Sequence, residues 1–369
     1  MEGIKKQMEA MNEDFVYVDL PYECGDRTPR GIALGIFDGF HIGHQALLRE
    51  LKHVCRKRGL RVTVFTFSFP KGVSFGGRDL HHTELMNDRE RVHALKAFGV
   101  DDIFMIPMTD SITTLSPDTF LETVVVKKLG GTVLAIGEDA HFGYRGAGDA
   151  AFLQSFASSH PLEAVIVPDV FWGGSKVSSS RIRALIASGD VKTATTLMTR
   201  PFRLFCDIES TATLPGKKVL DTCQSSDAYQ TNVACPSSDI YQKSDAHQSA
   251  VACQSYDGHH SSCACMASDA SADAVKHTVL PSSGETDGTE DVIFQCPYPE
   301  RSIVLSRGVY KTRVLFPEDD TDAQALSEVL MLPNTKTGRY GLTLVSRITR
   351  GHVTLAEGKS VVIEVLERA

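Results

Sequence analysis

The chain has no surplus of positive charge: 46 acidic residues against 38 Lys and Arg leave a formal charge of -8 over 369 residues. With a pI near 5.9, it lacks the concentrated basic surface that phosphate-backbone affinity requires, so broad nucleic-acid binding is excluded while a local basic pocket is not. Residues 1–23 lack the apolar core of a signal peptide, and no later run reaches the roughly 20 apolar residues of a membrane helix. A cytoplasmic protein with no membrane partner is expected. Nine cysteines are an odd number in a chain too long to need disulfide staples, and Cys24, Cys55 and Cys206 stand alone, so reduced thiols are expected.

The 42% hydrophobic content is enough for two domains with their own cores. Residues 31–183 switch repeatedly between short apolar strands and helical patterns. Strands are predicted at Gly31-Ile-Ala-Leu34, Leu60 to Phe67, Asp101 to Pro107, Gly131 to Gly137 and Ala164 to Val167. Between them lie helical stretches at Gln45 to His53, Asn87 to Phe98, and from Ser116, which can cap a helix with Pro117 at its first position. This order implies a parallel sheet covered by helices, an α/β Rossmann-like fold with ligands at the carboxyl ends of the strands.

Residues 221–275 break the pattern. Segments beginning at Cys223, Cys235 and Cys253 are imperfect copies without large apolar side chains, which reads as a disordered, low-complexity insertion. His259, His260, Cys263 and Cys265 lie there, but not at a zinc spacing. Strand character returns at Asp291 to Phe294, Ser302 to Leu305, Val309 to Phe316, Gly341 to Ser346 and Ser360 to Leu366. Ala325 to Leu330 reads as the last short helical stretch. A smaller, mostly β, barrel-like domain fits these signals.

The most informative segment is Gly35-Ile-Phe-Asp-Gly-Phe-His-Ile-Gly-His44. It sets His41 and His44 at the junction of a strand, a Gly-rich turn and a helix N-terminus. Free amide N–H groups and the partial positive charge there attract anionic oxygens, and imidazoles add donors. No Glu stands between the histidines and no third ligand is at hand, so zinc hydrolysis is not the reading. Val177-Ser-Ser-Ser-Arg-Ile-Arg183 is a second anion-binding signal: three hydroxyls open a helix that carries Arg181 and Arg183.

These segments resemble the bacterial bifunctional riboflavin kinase/FAD synthetase family. The decamer resembles the HxGH box in its long form, and Val177 to Arg183 resembles the Ser-Ser-Thr-x-Ile-Arg motif with Ser180 in place of Thr. Gly137-Glu-Asp-Ala-His-Phe-Gly143 is similar to Gly-x-Asp-Phe-x-Phe-Gly, with Ala140 in place of an aromatic residue. Thr199-Arg-Pro-Phe202 stands at the family's passage between domains. Val64-Phe-Thr-Phe-Ser-Phe-Pro70 departs from the family's Thr-Phe-Asp-Pro-His-Pro. The likeness spans roughly residues 28–203.

The resemblance implies an ATP-dependent FMN adenylyltransferase in residues 1–200, a nucleotidyltransferase making FAD and pyrophosphate from FMN and ATP. His41, His44 and Arg183 would be catalytic. Gly35, Phe37, Asp38, Gly39, Gly43, Gly137, Asp139, Ser178, Ser179, Ser180 and Arg181 would bind nucleotide, and Phe67, Phe69 and Phe142 are candidates for the flavin. Mg²⁺ would arrive with ATP, held by its oxygens and water, with no protein metal ligand assigned. Residues 201–369 resemble a degenerate riboflavin kinase-like domain: Leu305-Ser-Arg-Gly-Val-Tyr310 is similar to a family segment, but no Gly-x-Pro-Thr-Ala-Asn segment is present. Asn334-Thr-Lys-Thr-Gly338 does not replace it, and Glu364, in an alternating strand, could face solvent rather than act as a base. The alternatives are a fully bifunctional enzyme, an adenylyltransferase for another cofactor precursor, and a nonenzymatic flavin-binding regulator. No protein partner is indicated.

Overall fold

Strand β2 (Arg30–Leu34) is buried along its whole length, as expected for the centre of a sheet covered on both faces. The computed structural model describes residues 16–17, 28–69, 83–214, 291–317, 321–333, 340–350 and 355–369. The predicted insertion at 221–275, Cys24 and Asn334 to Gly338 lie outside the described residues. Around β2 run β1 (Val16–Tyr17), β3 (Arg61–Ser68), β4 (Asp102–Pro107), β5 (Gly131–Gly137) and β6 (Glu163–Val167). They form a six-stranded sheet in the order β1-β4-β3-β2-β5-β6, and every pairing in it is parallel.

Side chains alternate across this sheet with period two. Ile32, Leu34 and Phe65 enter one apolar layer with Phe120, Leu121 and Ile136. Ala33, Val62 and Val64 enter the other with Leu47, Leu48 and Leu51 of helix α1 (Ile42–Arg58) and Leu95 of α2 (Asp88–Ala97). Each fully buried Leu, Ile or Phe stabilises by about 1.5–3 kcal/mol. The predicted start at Ser116 is seen: its hydroxyl accepts from the Thr119 amide, and the helix continues as a π-helical stretch, Phe120–Lys128. The chain leaves β2 toward β3 and β4, then returns to β5 and β6 on the other side. That reversal places a crevice at the carboxyl end of β2, where such sheets take ligands.

Helix α3 (Ala150–Ala157) precedes β6. After it come a two-stranded ribbon of β7 (Phe171–Trp172) and β8 (Ser175–Lys176), and helices α4 (Ser179–Ser188) and α5 (Val191–Met198). The rest is a seven-stranded curled sheet. Its strands are β9 (Phe202–Asp207), β10 (Ser210–Leu214), β11 (Asp291–Pro297), β12 (Val309–Phe316), β13 (Thr321–Pro333), β14 (Tyr340–Arg350) and β15 (Ser360–Arg368). All its pairings are antiparallel. Ile182 and Ile186 of α4 and Val191, Leu197 and Met198 of α5 share one core with Phe202, Phe294, Tyr310, Val314 and Ile363 of that sheet. Both sheets fall within one compact unit. The α/β fold with a following β-rich half agrees with expectation.

Three readings need correction. Ala325 to Leu330 is not helical but lies inside β13, whose backbone is paired with β12 and β14 on both sides. Ser302 to Leu305 forms no strand. The Tyr298 hydroxyl takes the Leu305 amide and donates to the Ile303 carbonyl, while the Ile303 amide bonds to Glu84 O, so these groups are withdrawn from a ladder. Glu364 does not face solvent: it is 1% exposed and is closed between two arginines described below.

Candidate active site

The turn after β2 is held in a conformation that side-chain-bearing residues rarely adopt. Phe37 and Phe40 have φ of 56° and 38°, with Gly39 at 80° between them. Such backbone costs energy unless its surroundings fix it. Here they do: Phe37 is fully buried, and Ile36 O accepts from Thr66 Oγ1 (3.0 Å) and Arg91 Nη1 (2.9 Å).

His41 is the N-cap of α1. Its Nδ1 accepts from the His44 amide at 3.4 Å, so the ring proton belongs on Nε2. The two rings stack with centroids 3.7 Å apart. Gly43 makes this possible, because a Cβ there would lie 3.1 Å from the His41 ring. Burial, with Arg183 nearby, lowers the pKa of His41 to about 4, against a raising influence of Asp139. For His44, burial, the His41 ring, Arg91 and Arg183 together hold the pKa well below 6.5. Both imidazoles are therefore neutral N–H donors at pH 7. His44 Nδ1 is buried and meets no hydrogen-bond partner among the described residues.

The second segment is brought against the first. Ser178 caps α4, accepting from the Arg181 amide at 3.2 Å, and Ser179 Oγ donates to Asp38 O at 2.8 Å. Ser180 is exposed. Arg183 donates through Nη2 to Asp38 Oδ2 (2.5 Å) and through Nε to Thr83 O (2.6 Å), which leaves Nη1 outside both bonds. Neither α1 nor α4 has an acidic residue in its first turn. Two helix N-termini with unneutralised partial positive charge thus meet beside two neutral imidazoles and a guanidinium, an arrangement suited to a polyphosphate.

Several predicted nucleotide binders have work inside the protein. Asp38 is buried, and its Oδ1 accepts from the amides of Leu85 (3.0 Å) and Met86 (3.1 Å) as well as orienting Arg183 through Oδ2. Arg181 Nη1 donates to the carbonyls of Trp172 (2.9 Å), Ser175 (2.8 Å) and Lys176 (3.3 Å), clasping the β7–β8 ribbon. Asp139 is exposed after β5 and pairs with Lys176, which also bonds Asp169 at 2.6 Å. Gly35 lies under the Phe37 ring, 3.2 Å from an added Cβ, and Gly137 lies beside Asp139.

The flavin candidates separate. Phe67 and Phe69 are half-buried at the end of β3, whereas Phe142 is buried against Phe120, Phe152 and Gly148. Arg91, Lys176 and Arg301 were not foreseen. Arg91 holds the decamer through Ile36 O and also donates to Phe67 O (2.8 Å), and Arg301 Nη1 donates to Phe69 O at 2.7 Å. Sequence spacing carries no signal for such long-range bonds. Among the described residues no cluster of three or more His, Cys, Asp or Glu could hold a metal, and no helix is long and apolar enough to cross a membrane.

A cavity of about 910 Å³ lies away from the histidines. It lies between the start of α2 and the curled sheet, lined among others by Glu84, Arg89, Arg203, Phe205, Tyr298 and Arg301. Within its lining Glu84 pairs with Arg301, and Arg203 is turned to Glu364. The chemistry is assigned to the histidines, where a buried imidazole nitrogen without a partner among the described residues coincides with two helix N-termini that carry no acidic residue in their first turns.

Residues 25–181 match the family model described as FAD synthetase. A bifunctional riboflavin kinase/FMN adenylyltransferase of Escherichia coli K12 is 30% identical over 173 residues, 47% of this chain and 55% of the relative. Relatives of the same name from Listeria monocytogenes and Haemophilus influenzae are each 29% identical, covering 51% and 49% of this chain and 60% and 59% of their own lengths. The chain thus matches little more than half the length of these curated relatives. The crystal structure of a macrolide-efflux protein from Streptococcus pneumoniae has a TM-score of 0.63 at 20% identity, covering 94% of this chain and 87% of that one. At that identity the likeness is one of fold.

Proposed function

We propose, from the match of residues 25–181 to the FAD synthetase family model, that this chain transfers the AMP group of ATP to FMN, forming FAD and releasing pyrophosphate. One observation carries the reading: His41, His44 and Arg183 converge on the N-termini of α1 and α4 at the carboxyl end of β2. A phosphate oxygen of FMN forms a bond to the α-phosphorus of ATP as the bond from that phosphorus to the bridging oxygen breaks. The electron pair leaves with pyrophosphate. The FMN phosphate is already anionic, so the protein supplies alignment and charge stabilisation and no covalent nucleophile.

Neutral His41 and His44 donate N–H bonds to the phosphate oxygens as charge shifts toward the leaving group. Arg183, aimed by Asp38, adds a permanent charge. The amides at the N-termini of α1 and α4 hold the remaining oxygens. Mg²⁺ would arrive with ATP and would supply charge neutralisation at its phosphates, with no protein ligand of its own assigned. The buried Asp38 is already committed to two amides and Arg183, and Asp139 to Lys176, so neither carboxylate serves as a ready-made metal cage.

The proposal is confined to adenylyl transfer. Glu364, the carboxylate weighed above as a base, has Oε1 taken by Arg203 (3.0 and 2.7 Å) and Oε2 by Arg313 (2.8 Å). FMN-dependent pyrophosphate release from ATP tests the reading, with riboflavin, phosphopantetheine and nicotinamide mononucleotide as comparison substrates. FAD formed from FMN alone among them is the expected result. Turnover of a different acceptor, or tight FMN binding without pyrophosphate release, would overturn it.

A further inference from the structure

The β7–β8 ribbon exposes two large aromatic rings that no core explains. Phe171 is 63% exposed and Trp172, the only tryptophan of the chain, is 48% exposed. The ribbon is nonetheless well anchored. Phe171 pairs with Lys176 and Trp172 with Ser175. Gly173 and Gly174 make the turn at φ of 59° and 77°, the left-handed pair that suits a tight hairpin. Arg181 clasps three carbonyls of this segment, and the Val177 amide bonds Val170 O at 2.8 Å.

Cross-strand partners share a face of a ribbon while neighbours along a strand face opposite ways. Phe171 is therefore on the side of Lys176, whose ammonium reaches Asp139 after β5 and Asp169 after β6. Trp172 is on the other side. The strand order β3-β2-β5-β6 puts this ribbon on the flank opposite Phe67 and Phe69, which end β3. With the phosphates at α1 and α4 in the middle, the α-phosphorus joins the two reactants, and the crevice offers a flank on either side for their ring systems. The β3 flank carries the half-buried flavin candidates Phe67 and Phe69, while Phe142, after β5, is closed into the core by Phe120 and Phe152, so the exposed ring on the β5–β6 flank is open to the adenine.

Resting on the adenylyl-transfer reading, we propose that Phe171 is the stacking platform for the adenine ring of ATP, with the Arg181 clasp setting its position. Base–aromatic stacking is sequence-tolerant and substantial, so Phe171 serves affinity while the histidines serve the chemical step.

Titration of the full chain with the non-transferable analogue α,β-methylene-ATP, followed by Trp172 emission, reads this binding without requiring turnover. The wild type should show a saturable change, and Phe171→Ala should weaken analogue binding by roughly ten- to a hundred-fold. In turnover, Phe171→Ala should raise KM for ATP with little change in kcat or in KM for FMN, and Phe171→Tyr should restore it. A rise in KM for FMN alone would place the flavin on this ribbon and overturn the proposal, as would unchanged analogue affinity in Phe171→Ala. If the wild type binds the analogue through Phe171 but releases no pyrophosphate with FMN, the stacking role stands and the adenylyl-transfer reading fails.

Discussion

The two halves of the molecule treat charged groups in opposite ways. At the carboxyl end of β2, His44 Nδ1 has no partner among the described residues, and α1 and α4 carry no acidic residue in their first turns. On the curled sheet, Glu364 stands directly across from Arg203 on β9 and Arg313 on β12, and those side chains close on it. Glu90 of α2 lies beside this network, its Oε1 paired with Arg200 and 4.0 Å from Arg203, while its Oε2 and Arg200 Nε are buried without a partner among the described residues. Thr312, Ser327 and Ser346 likewise satisfy one another across three strands, at 2.8 and 2.7 Å. Spare bonding capacity beside two helix N-termini marks a place that takes an anionic ligand; the mutual satisfaction of Glu364 and of the hydroxyl row marks one that holds the fold.

Removing a donor from the first region should harm chemistry and spare the fold. His44→Ala is expected to lower FMN-dependent pyrophosphate release by roughly 10²–10³-fold, the scale for one donor aimed at developing charge, with a nearly unchanged Tm. Unchanged turnover would remove His44 from the mechanism. The second region should respond in the reverse sense. Glu364→Ala leaves two guanidiniums facing each other and should cost about 3 kcal/mol in urea unfolding, at the low end for a broken buried pair because both arginines keep solvent contact. A large loss of turnover per folded molecule, with stability intact, would contradict a structural role.

The buried carboxylates near α2 and the histidines also differ in pH response. Burial outweighs the attraction of Arg200 and raises the pKa of Glu90 to about 7, and burial does the same to Glu84 despite Arg301. Below about pH 4.5 both folded and unfolded chains hold these protons. Between about pH 4.5 and 7 the unfolded chain releases protons that the folded one keeps, so their contribution to stability is lost as pH rises. The histidines act oppositely. With a folded pKa of about 4 against 6.5, His41 contributes fully above pH 6.5 and loses that contribution as pH falls toward 4. Glu90→Gln should therefore reduce the decline in unfolding free energy between pH 5 and 7.5; an unaltered slope would assign that decline elsewhere. The smallest effect expected is for Ser178→Ala, about 1 kcal/mol of stability from the lost cap of α4, measured by thermal unfolding.

Much of the first region was legible because its signals are local. Strand, Gly-containing turn, histidine pair and helix start follow one another within the decamer, and three serines announce the start of α4. Asp38 was legible only in part: its amide and guanidinium partners lie 47, 48 and 145 residues away, and no spacing reports them. For Glu364, alternation along the strand suggested a solvent-facing side chain. Both faces are occupied at this point of β15, one by the apolar core and the other by the Arg203 and Arg313 guanidiniums. Ala325 to Leu330 contains good helix formers, yet antiparallel partners on both sides decide its conformation.

The sequence by itself determined the elements of the parallel sheet and the two segments rich in His, Ser and Arg, because caps, periodicity and turn residues act over a few positions. Only the tertiary structure decided that these segments meet, that Asp38 aims Arg183, and that Glu364 is closed off. Those outcomes depend on burial and on bonds between residues distant in the chain, and a carboxylate acquires its role from whatever packs around it.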